Sequence, residues 1–222
     1  VKTPQAWGWG FHLTNGRRRV KLLSAMAWPY VRRAIRRLLH DHPADLIISV
    51  HALVNTPMLR ALGTPRPPYI VVVTDLVTAH AFWYHRQTDL TIVPTEPARQ
   101  LALFHRLDPA RVQVIGLPVA DRFCRPTAEG YTIRHRLGWP LDQPMTLLVG
   151  GGDGMGPLEQ TARALAASGL KTSLAIVTGR NAALEARLES QSWPELTFVY
   201  GFVREMPDFM HAADILVTKA GP

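Results

Sequence analysis

The apolar residues of this chain fall into eight short runs rich in β-branched side chains, with helical patterns between them. The runs are apolar throughout and do not alternate with polar positions, as in parallel strands covered on both faces. The predicted strands are Asp45–Val50, Tyr69–Thr74, Leu90–Val93, Val112–Gly116, Thr146–Gly150, Leu174–Gly179, Thr197–Gly201 and Asp214–Thr218. Helices are predicted at Glu96–Leu107, Thr132–Leu137, Pro157–Ser168 and Ala182–Ser190. The alternation predicts an α/β fold with open parallel sheets.

A break in this pattern divides the chain in two. The segment 126–144 holds three prolines and two glycines and only one short predicted helix. The charge also changes sign there, because residues 1–125 carry 17 Lys and Arg against 7 Asp and Glu, and residues 126–222 carry 8 against 10. We therefore expect an N-terminal domain at 1–125, a linker at 126–144 and a C-terminal domain at 145–222.

Much of the positive charge lies in one predicted helix. Eight basic and no acidic residues occur between Arg17 and Arg37, and Pro29 suits the first turn of the helix. A basic amphipathic helix beside tryptophans can lie on anionic lipid. A solvated arginine face over a core stripe, or a nucleic-acid surface, would give the same pattern. The expected docking residues are Trp28, Arg32, Arg33, Arg36, Arg37 and, from an aromatic loop that also suits a core cluster, Trp83.

Composition excludes some classes of protein. With 47% hydrophobic residues the chain can bury a core, and its single cysteine, Cys124, rules out an internal disulfide and a cysteine-rich zinc site. No apolar run approaches the roughly 20 residues that span a bilayer. The chain begins without methionine and stops directly after a predicted strand, so we expect a fragment that lacks both ends.

A loop with five glycines in the seven residues 150–156 joins a predicted strand to a predicted helix. Free backbone N–H groups and a helix dipole make such a turn an anion site. Pro157 stands where a dinucleotide fingerprint needs its third glycine and where a Walker loop needs lysine, so neither motif fits. We expect Asp153 to point aside, cap a turn or accept from a sugar hydroxyl. The predicted phosphate-binding residues are Gly150, Gly151, Gly152, Asp153, Gly154, Met155 and Gly156.

Three later turns are expected at the same edge of the sheet, because ligands of open parallel sheets bind beyond the carboxyl ends of the strands. Arg180 can pair with a phosphate, and Phe202 can stack on a base, although a core position suits Phe202 equally well. The residues predicted from these turns are Arg180, Asn181, Gly201, Phe202, Val203, Lys219, Ala220 and Gly221.

Four stretches of the second half, VGGGDGMGPLEQTARAL, TGRN, YGFVREMPDFM and DILVTKAGP, resemble the donor domain of family 28 glycosyltransferases, in the monogalactosyldiacylglycerol synthase branch. In the first half, ISVHALVNTPML, VVTDLVTAHAFWYH and VIGLPVADRF resemble the acceptor domain of that branch in the same order. The resemblance implies the GT-B fold, two Rossmann-like domains facing a cleft, here with both domains incomplete. It also implies an inverting enzyme that moves galactose or glucose from a UDP-sugar to diacylglycerol without a metal or other cofactor.

The same resemblance implies roles and partners. It assigns Gly150–Gly156 to the diphosphate, Gly201–Val203 to the uracil and Lys219–Gly221 to a loop near the nucleotide and sugar. The implied partners are a UDP-sugar, diacylglycerol and an anionic lipid surface, not nucleic acid, at a peripheral site on the cytoplasmic face of the membrane. The family's histidine-bearing glycine turn has no match here, and neither do its sugar-reading residues, so we expect the fragment alone to be inactive.

An inverting transfer needs a base for the proton of the acceptor hydroxyl. The candidates are His51, Asp75, His80 and His85, which follow predicted strands and are expected to position substrate, with ordinary structural roles as the alternative. A metal at Asp75, His80 and His85 fits no known ligand spacing. The alternative functions are a UDP-N-acetylglucosamine transferase of peptidoglycan synthesis and a non-catalytic nucleotide- or nucleic-acid-binding module.

Overall fold

The computed structural model describes residue 10 and residues 13–154, 156–194 and 196–218. They form two compact units, of which the first extends to Pro118 and the second begins at Val119. Each unit contains a four-stranded parallel sheet with helices packed on it. The predicted α/β fold with open parallel sheets is confirmed.

The sheet of the first unit has its strands in chain order. The strands are β1 (Ile47–Ser49), β2 (Tyr69–Val72), β3 (Leu90–Val93) and β4 (Val112–Val114), and the helices are α1 (Arg17–Asp41), α2 (Asn55–Leu62) and α3 (Glu96–Phe104). Short 3-10 helices lie at Ala52–Val54, Ala81–Trp83 and Pro109–Arg111. Tyr69, Val71 and Val73 are fully buried because alternate residues of β2 and its extension share one face. That face packs against α2 and α3 and forms the core of the unit.

The sheet of the second unit has the order β7-β6-β5-β8. The strands are β5 (Met145–Val149), β6 (Ser173–Val177), β7 (Thr197–Tyr200) and β8 (Ile215–Thr218). The helices are α4 (Gly130–Leu137), α5 (Leu158–Ala166), α6 (Ala182–Glu189) and α7 (Met206–Ala212), with a 3-10 helix at Asp121–Phe123. The strand order switches beside β5, because β6 lies on one side of it and β8 on the other. Ligands bind at such switch points, so the turn after β5 is where a ligand is expected.

The segment predicted as a linker, 126–144, is part of the second unit. Its Ile133 and Trp139 are buried in the same cluster as Met145 and Phe209. Trp139 Nε1 also donates a hydrogen bond of 2.8 Å to the hydroxyl of Tyr200. The prolines and glycines of the segment shape turns around α4, and its two buried side chains attach it to the sheet. The predicted boundaries at 125 and 144 therefore differ from the observed division after Pro118.

The basic helix α1 begins at Arg17, and the prediction that Pro29 lies in its first turn is wrong. Pro29 stands inside the helix and lacks the N–H that would bond to the carbonyl of Ala25. Both residues are exposed, so water can satisfy that carbonyl. The helix buries Val20 and packs against α2.

An aspartate anchors the amino end of each sheet. Asp89 Oδ2 accepts the N–H of Tyr69, the first residue of β2, at 2.7 Å and pairs with Arg66 at 2.6 Å. Asp214 Oδ2 accepts the N–H of Met145, the first residue of β5, at 2.7 Å. The hydrogen bond from Arg66 holds the pKa of Asp89 below its usual range, and the N–H of Met145 does the same for the pKa of Asp214. These carboxylates stabilise the ends of the sheets opposite the expected ligand edge.

Candidate donor and acceptor sites

The glycine loop after β5 interlocks with the turn after β6. A Cβ on Gly179 would lie 2.5 Å from the carbonyl oxygen of Gly152 and 2.6 Å from that of Gly151, and a Cβ on Gly154 would overlap the carbonyl oxygen of Thr178. Gly154 and Gly179 also have φ of +57° and +63°, in the left-handed region that favours glycine. The backbone N–H of Arg180 donates to the oxygen of Gly152 at 2.8 Å. The two turns are therefore one packed structure.

Backbone donors remain available in the glycine loop. The N–H groups of Gly151, Gly152 and Asp153 have no hydrogen-bond partner within the described ranges. Helix α5 begins directly after the loop, and no side chain caps its first turn. Three N–H groups without a partner beside an uncapped helix start suit an anion, and phosphate binding at this loop stays a prediction.

Arg180 lies over this loop. Its Nη1 is 3.6 Å from Asp153 Oδ1, and its guanidinium carbon is 4.8 Å from the ring centroid of Phe202. The side chains of Arg180 and Asp153 are 67% and 71% exposed, and exposed ion pairs contribute little to stability. A phosphate can therefore replace the Asp153 carboxylate at small cost. Asp153, which the sequence left with several possible roles, pairs with Arg180.

The remaining predicted donor residues are spread around this structure. Asn181 caps α6 by accepting the N–H of Leu184 at 3.1 Å. Phe202 is 53% exposed, so it is not a core residue, whereas Val203 packs on the core of the second unit. Gly150 is buried against α5, and Gly156 has open space around its Cα. The predicted residues Met155, Lys219, Ala220 and Gly221 lie outside the described residues.

The three candidate histidines of the first unit share one local hydrogen bond. Nδ1 of His51, His80 and His85 accepts the backbone N–H two residues further along the chain. The donors are Leu53 at 3.3 Å, Phe82 at 3.1 Å and Gln87 at 3.3 Å. In a neutral ring with its lone pair engaged at Nδ1, Nε2 carries the hydrogen and can donate but cannot accept a proton. This geometry suits positioning of an acceptor better than general-base catalysis.

Burial disfavours protonation of three histidines of the first unit, His80, His85 and His105. Desolvation lowers the pKa of His80 and of His85, and Arg66 lowers the latter further, whereas Asp75 partly opposes the shift of His80. His105 is 8% exposed, and its Nδ1 has no hydrogen-bond partner in the described chain. Burial and the nearby Arg17 lower its pKa as well. The pKa values of His80, His85 and His105 are therefore all lowered.

Acidification is expected to destabilise the protein in two stages. The pKa values of His80, His85 and His105 lie below the ordinary 6.5, so the stability they contribute is present above that pH and lost as pH falls through their folded values. The pKa values of Asp89 and Asp214 lie below the ordinary 3.8, so their contribution is lost at lower pH still. Melting temperatures measured from neutral pH to about pH 3 should show both declines.

The decline in melting temperature at the lower pH, which we assign to Asp89 and Asp214, has a specific control. The double variant Asp89→Asn/Asp214→Asn should flatten it, whereas Asp108→Asn, at an exposed turn, should leave it in place. An unchanged acid profile in the double variant would contradict the assignment.

Buried Trp83 and half-buried Asp75 form a hydrogen-bonded pair in the same unit. Trp83 is 4% exposed, and its Nε1 donates to Asp75 Oδ2 at 2.8 Å. The prediction that Trp83 docks on a membrane is therefore wrong, because its ring belongs to the core and its only polar group is engaged. The second oxygen of Asp75 has no partner among the residues that the structure describes. Asp75 is thus the one of the four candidates that keeps a free acceptor atom in this part of the chain.

Asn55 supports the loop that carries Trp83, and sequence reasoning missed this role. It is fully buried, and its Oδ1 accepts from Ser49 Oγ at 2.6 Å and from the hydroxyl of Tyr69 at 3.2 Å. Its Nδ2 donates to the carbonyls of Phe82 and Trp83 at 3.5 Å and 3.4 Å. Asn55 therefore holds the aromatic loop against β1 and β2. A polar residue at the start of a helix gives no sequence signal for this role.

Neither a metal site nor a membrane span is found in the described residues. No group of three or more His, Cys, Asp or Glu side chains there is arranged to hold a metal ion. No helix in these ranges combines the length and apolar character needed to cross a bilayer.

Solved structures of similar shape define the class of fold. HepE from Anabaena in complex with UDP-glucose aligns with a TM-score of 0.57 at 14% identity, over 84% of this chain and 55% of that protein. MurG from Acinetobacter baumannii aligns with a TM-score of 0.53 at 15% identity, over 86% and 51%. The chain has the GT-B glycosyltransferase fold.

The family follows from the sequence. The profile of the monogalactosyldiacylglycerol (MGDG) synthase family matches residues 1–119, and the chain belongs to this family. Probable MGDG synthase 2, chloroplastic, of Oryza sativa subsp. japonica is 33% identical over 234 residues, covering 100% of this chain and 50% of that protein. MGDG synthase 1, chloroplastic, of Arabidopsis thaliana is 34% identical over 233 residues, covering 100% and 44%. The chain spans about half the length of these curated relatives.

Proposed function

We propose that the protein containing this chain transfers a hexosyl group from a UDP-sugar to diacylglycerol, with inversion at the anomeric carbon. Membership of the MGDG synthase family carries the proposal. The names of the relatives favour galactose as the sugar, with glucose as the second choice. The second unit would bind the donor, and the first unit would bind the acceptor.

The donor half of the proposal rests on the glycine loop. In the transfer, the acceptor hydroxyl gives its proton to a general base, its oxygen forms a bond to the anomeric carbon, and the bond from that carbon to the diphosphate oxygen breaks. Negative charge then develops on the leaving UDP. The free N–H groups of Gly151, Gly152 and Asp153 and the guanidinium of Arg180 suit that charge. We therefore propose that the transfer needs no metal ion.

The acceptor half rests on the loop that follows β2. The free oxygen of Asp75 suits a hydrogen bond to the acceptor hydroxyl, and Trp83 and Asn55 hold that loop in place. The Nε2–H groups of His51 and His85 are donors that suit the ester oxygens of a diacylglycerol.

The test is a transfer assay with the complete gene product. Diacylglycerol vesicles are incubated with UDP-galactose, UDP-glucose or UDP-N-acetylglucosamine, with and without EDTA. The expected product is a galactolipid, formed equally well with EDTA. No glycolipid from any donor would contradict the transferase proposal, and loss of product in EDTA would contradict the metal-free part.

We also propose that α1 docks the protein on an anionic membrane. Leu22, Met26 and Tyr30 are 62%, 63% and 87% exposed and stand four residues apart, so they form one apolar line along the helix. Arg32 and Arg33 are exposed beyond that line, without an ion pair in the described structure. Apolar side chains flanked by arginines suit a surface of anionic headgroups. The cytoplasmic face stays a prediction.

The aromatic contact in this surface differs from the predicted one. Trp28 is half-buried under the guanidinium groups of Arg60, at 4.6 Å, and Arg36, at 6.0 Å. Tyr30 is therefore better placed than Trp28 to enter the headgroup layer. Arg37 is 3.3 Å from Asp41, which offsets part of its charge.

Arg32→Gln/Arg33→Gln should weaken binding to anionic vesicles about 30-fold, because each basic side chain near such a surface contributes about 1 kcal/mol. Co-sedimentation with vesicles of phosphatidylglycerol and phosphatidylcholine measures the effect. Lys171→Gln/Arg204→Gln removes the same charge from the second unit and should bind as the unmodified protein does. Equal binding by both double variants would contradict the docking role of α1.

The alternative functions have less support. The likeness to MurG concerns the fold, so it does not favour peptidoglycan synthesis. A nucleic-acid-binding module would bind DNA or RNA in a strongly salt-dependent way and without preference for lipid, which the vesicle experiment distinguishes.

A further inference from the structure

The carboxylate of Glu185 lies where a side chain at Gly201, the residue directly after β7, would begin. A Cβ on Gly201 would lie 2.5 Å from each of the two oxygens of Glu185. The φ of Gly201 is outside the left-handed region, so backbone conformation does not require glycine there. The Glu185 carboxylate is the far end of a flexible side chain, so it fills this space without requiring glycine at position 201.

The Glu185 carboxylate has no partner of its own. Glu185 is half-buried on α6, and its side chain makes no hydrogen bond or ion pair with any residue that the structure describes. It does not cap the helix, because Asn181 accepts the N–H of Leu184 instead. The Glu185 oxygens are not among the fully buried atoms that lack a partner, so this carboxylate is open to water and to a ligand.

The carboxylate lies at the ligand edge of the sheet. Gly201 follows the carboxyl end of β7, and the next residue, Phe202, is exposed with Arg180 stacked on it. A phosphate would be repelled by Glu185 and attracted by Arg180 and the free N–H groups of the glycine loop. The part of a nucleotide that suits Glu185 is therefore neutral and donates hydrogen bonds.

We propose that Glu185 reads the nucleoside of the donor. Its carboxylate accepts a hydrogen bond either from a ribose hydroxyl or from the imide N–H of the pyrimidine. This inference rests on the proposed function, because it assumes that the second unit binds a UDP-sugar.

Calorimetric titration of the complete gene product tests the proposal with four ligands. These are UDP, 2′-deoxy-UDP, 3′-deoxy-UDP and N3-methyl-UDP, of which each analogue lacks one donor. Glu185→Ala should weaken UDP binding about tenfold or more, because hydrogen bonds to charged groups are the strong ones. The loss should be much smaller for the analogue that lacks the recognised donor, and this analogue identifies the group. Glu189→Ala, on the exposed side of the same helix, should bind all four ligands as the unmodified protein does.

The melting temperature distinguishes recognition of the nucleoside by Glu185 from a structural role of this residue. Removal of an unpaired carboxylate should leave the melting temperature of Glu185→Ala at or above that of Glu189→Ala. Unchanged UDP affinity in Glu185→Ala, or an equal loss for all four ligands, would overturn the inference while leaving the proposed function intact. Failure of the unmodified protein to bind UDP would instead overturn the proposed function, and the inference with it.

Discussion

Gly179→Ala is expected to weaken UDP binding at least about 100-fold, because it displaces the loop whose N–H groups we propose to bind the diphosphate. The added Cβ would lie 2.5 and 2.6 Å from two carbonyl oxygens of the glycine loop, and both are backbone atoms that cannot rotate away. Overpacking and the left-handed conformation together should cost about 3 kcal/mol of stability. Titration with UDP and chemical denaturation measure the two effects.

Gly169→Ala is the matched control for this substitution. Gly169 has φ of +72°, close to that of Gly179, but nothing lies within 4 Å of its added Cβ. Its cost should be the conformational strain alone, about 1 kcal/mol, with UDP affinity unchanged. If Gly179→Ala bound UDP as well as Gly169→Ala, the interlocked turns would not govern phosphate binding.

Asn55→Ala is expected to lower the free energy of unfolding by about 3 kcal/mol, because it leaves several buried polar groups without a hydrogen-bond partner. Ser49 and Tyr69 would lose their acceptor, and the carbonyls of Phe82 and Trp83 would lose their donor. The loop that follows β2 should then open more often. Hydrogen exchange at the amides of Phe82 and Trp83 should accelerate, and denaturant titration should show the loss of stability.

Two further variants test whether the lost hydrogen bonds cause the loss of stability in Asn55→Ala. Gln113→Ala removes an exposed amide from β4 and should change stability by less than about 0.5 kcal/mol. Asn55→Asp keeps an acceptor but replaces the amide donor with a buried charge, so it should destabilise at least as much as alanine. A variant at position 55 as stable as Gln113→Ala would contradict the bridging role.

The strands were predictable because their residues are mostly apolar and β-branched, although burial alternates along β2 and β3 and is continuous only in β5 and β6. Every residue of Met145–Val149 is buried, and all but Thr146 are apolar, so the sequence records this strand directly. Helix α1 was harder, because a proline in an exposed part of a long helix looks like a helix start. The segment 126–144 was mistaken for a linker because its turn residues outnumber the two side chains, Ile133 and Trp139, that bury it.

The site was predictable only in outline. The glycine loop and Arg180 could be read from residue type and position, because both follow strands. The pairing of Arg180 with Asp153 and the contact of Glu185 with Gly201 join different turns, and no local pattern encodes them. Trp83 was misassigned for the same reason, because its partner Asp75 lies eight residues earlier and burial is not visible in an aromatic cluster.

The interlock of the glycine loop with the turn after β6 also limits how this candidate donor site can be moved into another protein. The glycine at position 179 fits only a loop whose carbonyls follow the path of Gly151 and Gly152, and Gly154 fits only beneath the carbonyl of Thr178. A chimera that receives residues 150–156 alone would meet a foreign turn with a different shape. A graft of this loop into a relative should therefore keep its shape only when residues 150–156 and 178–181 are moved as a pair.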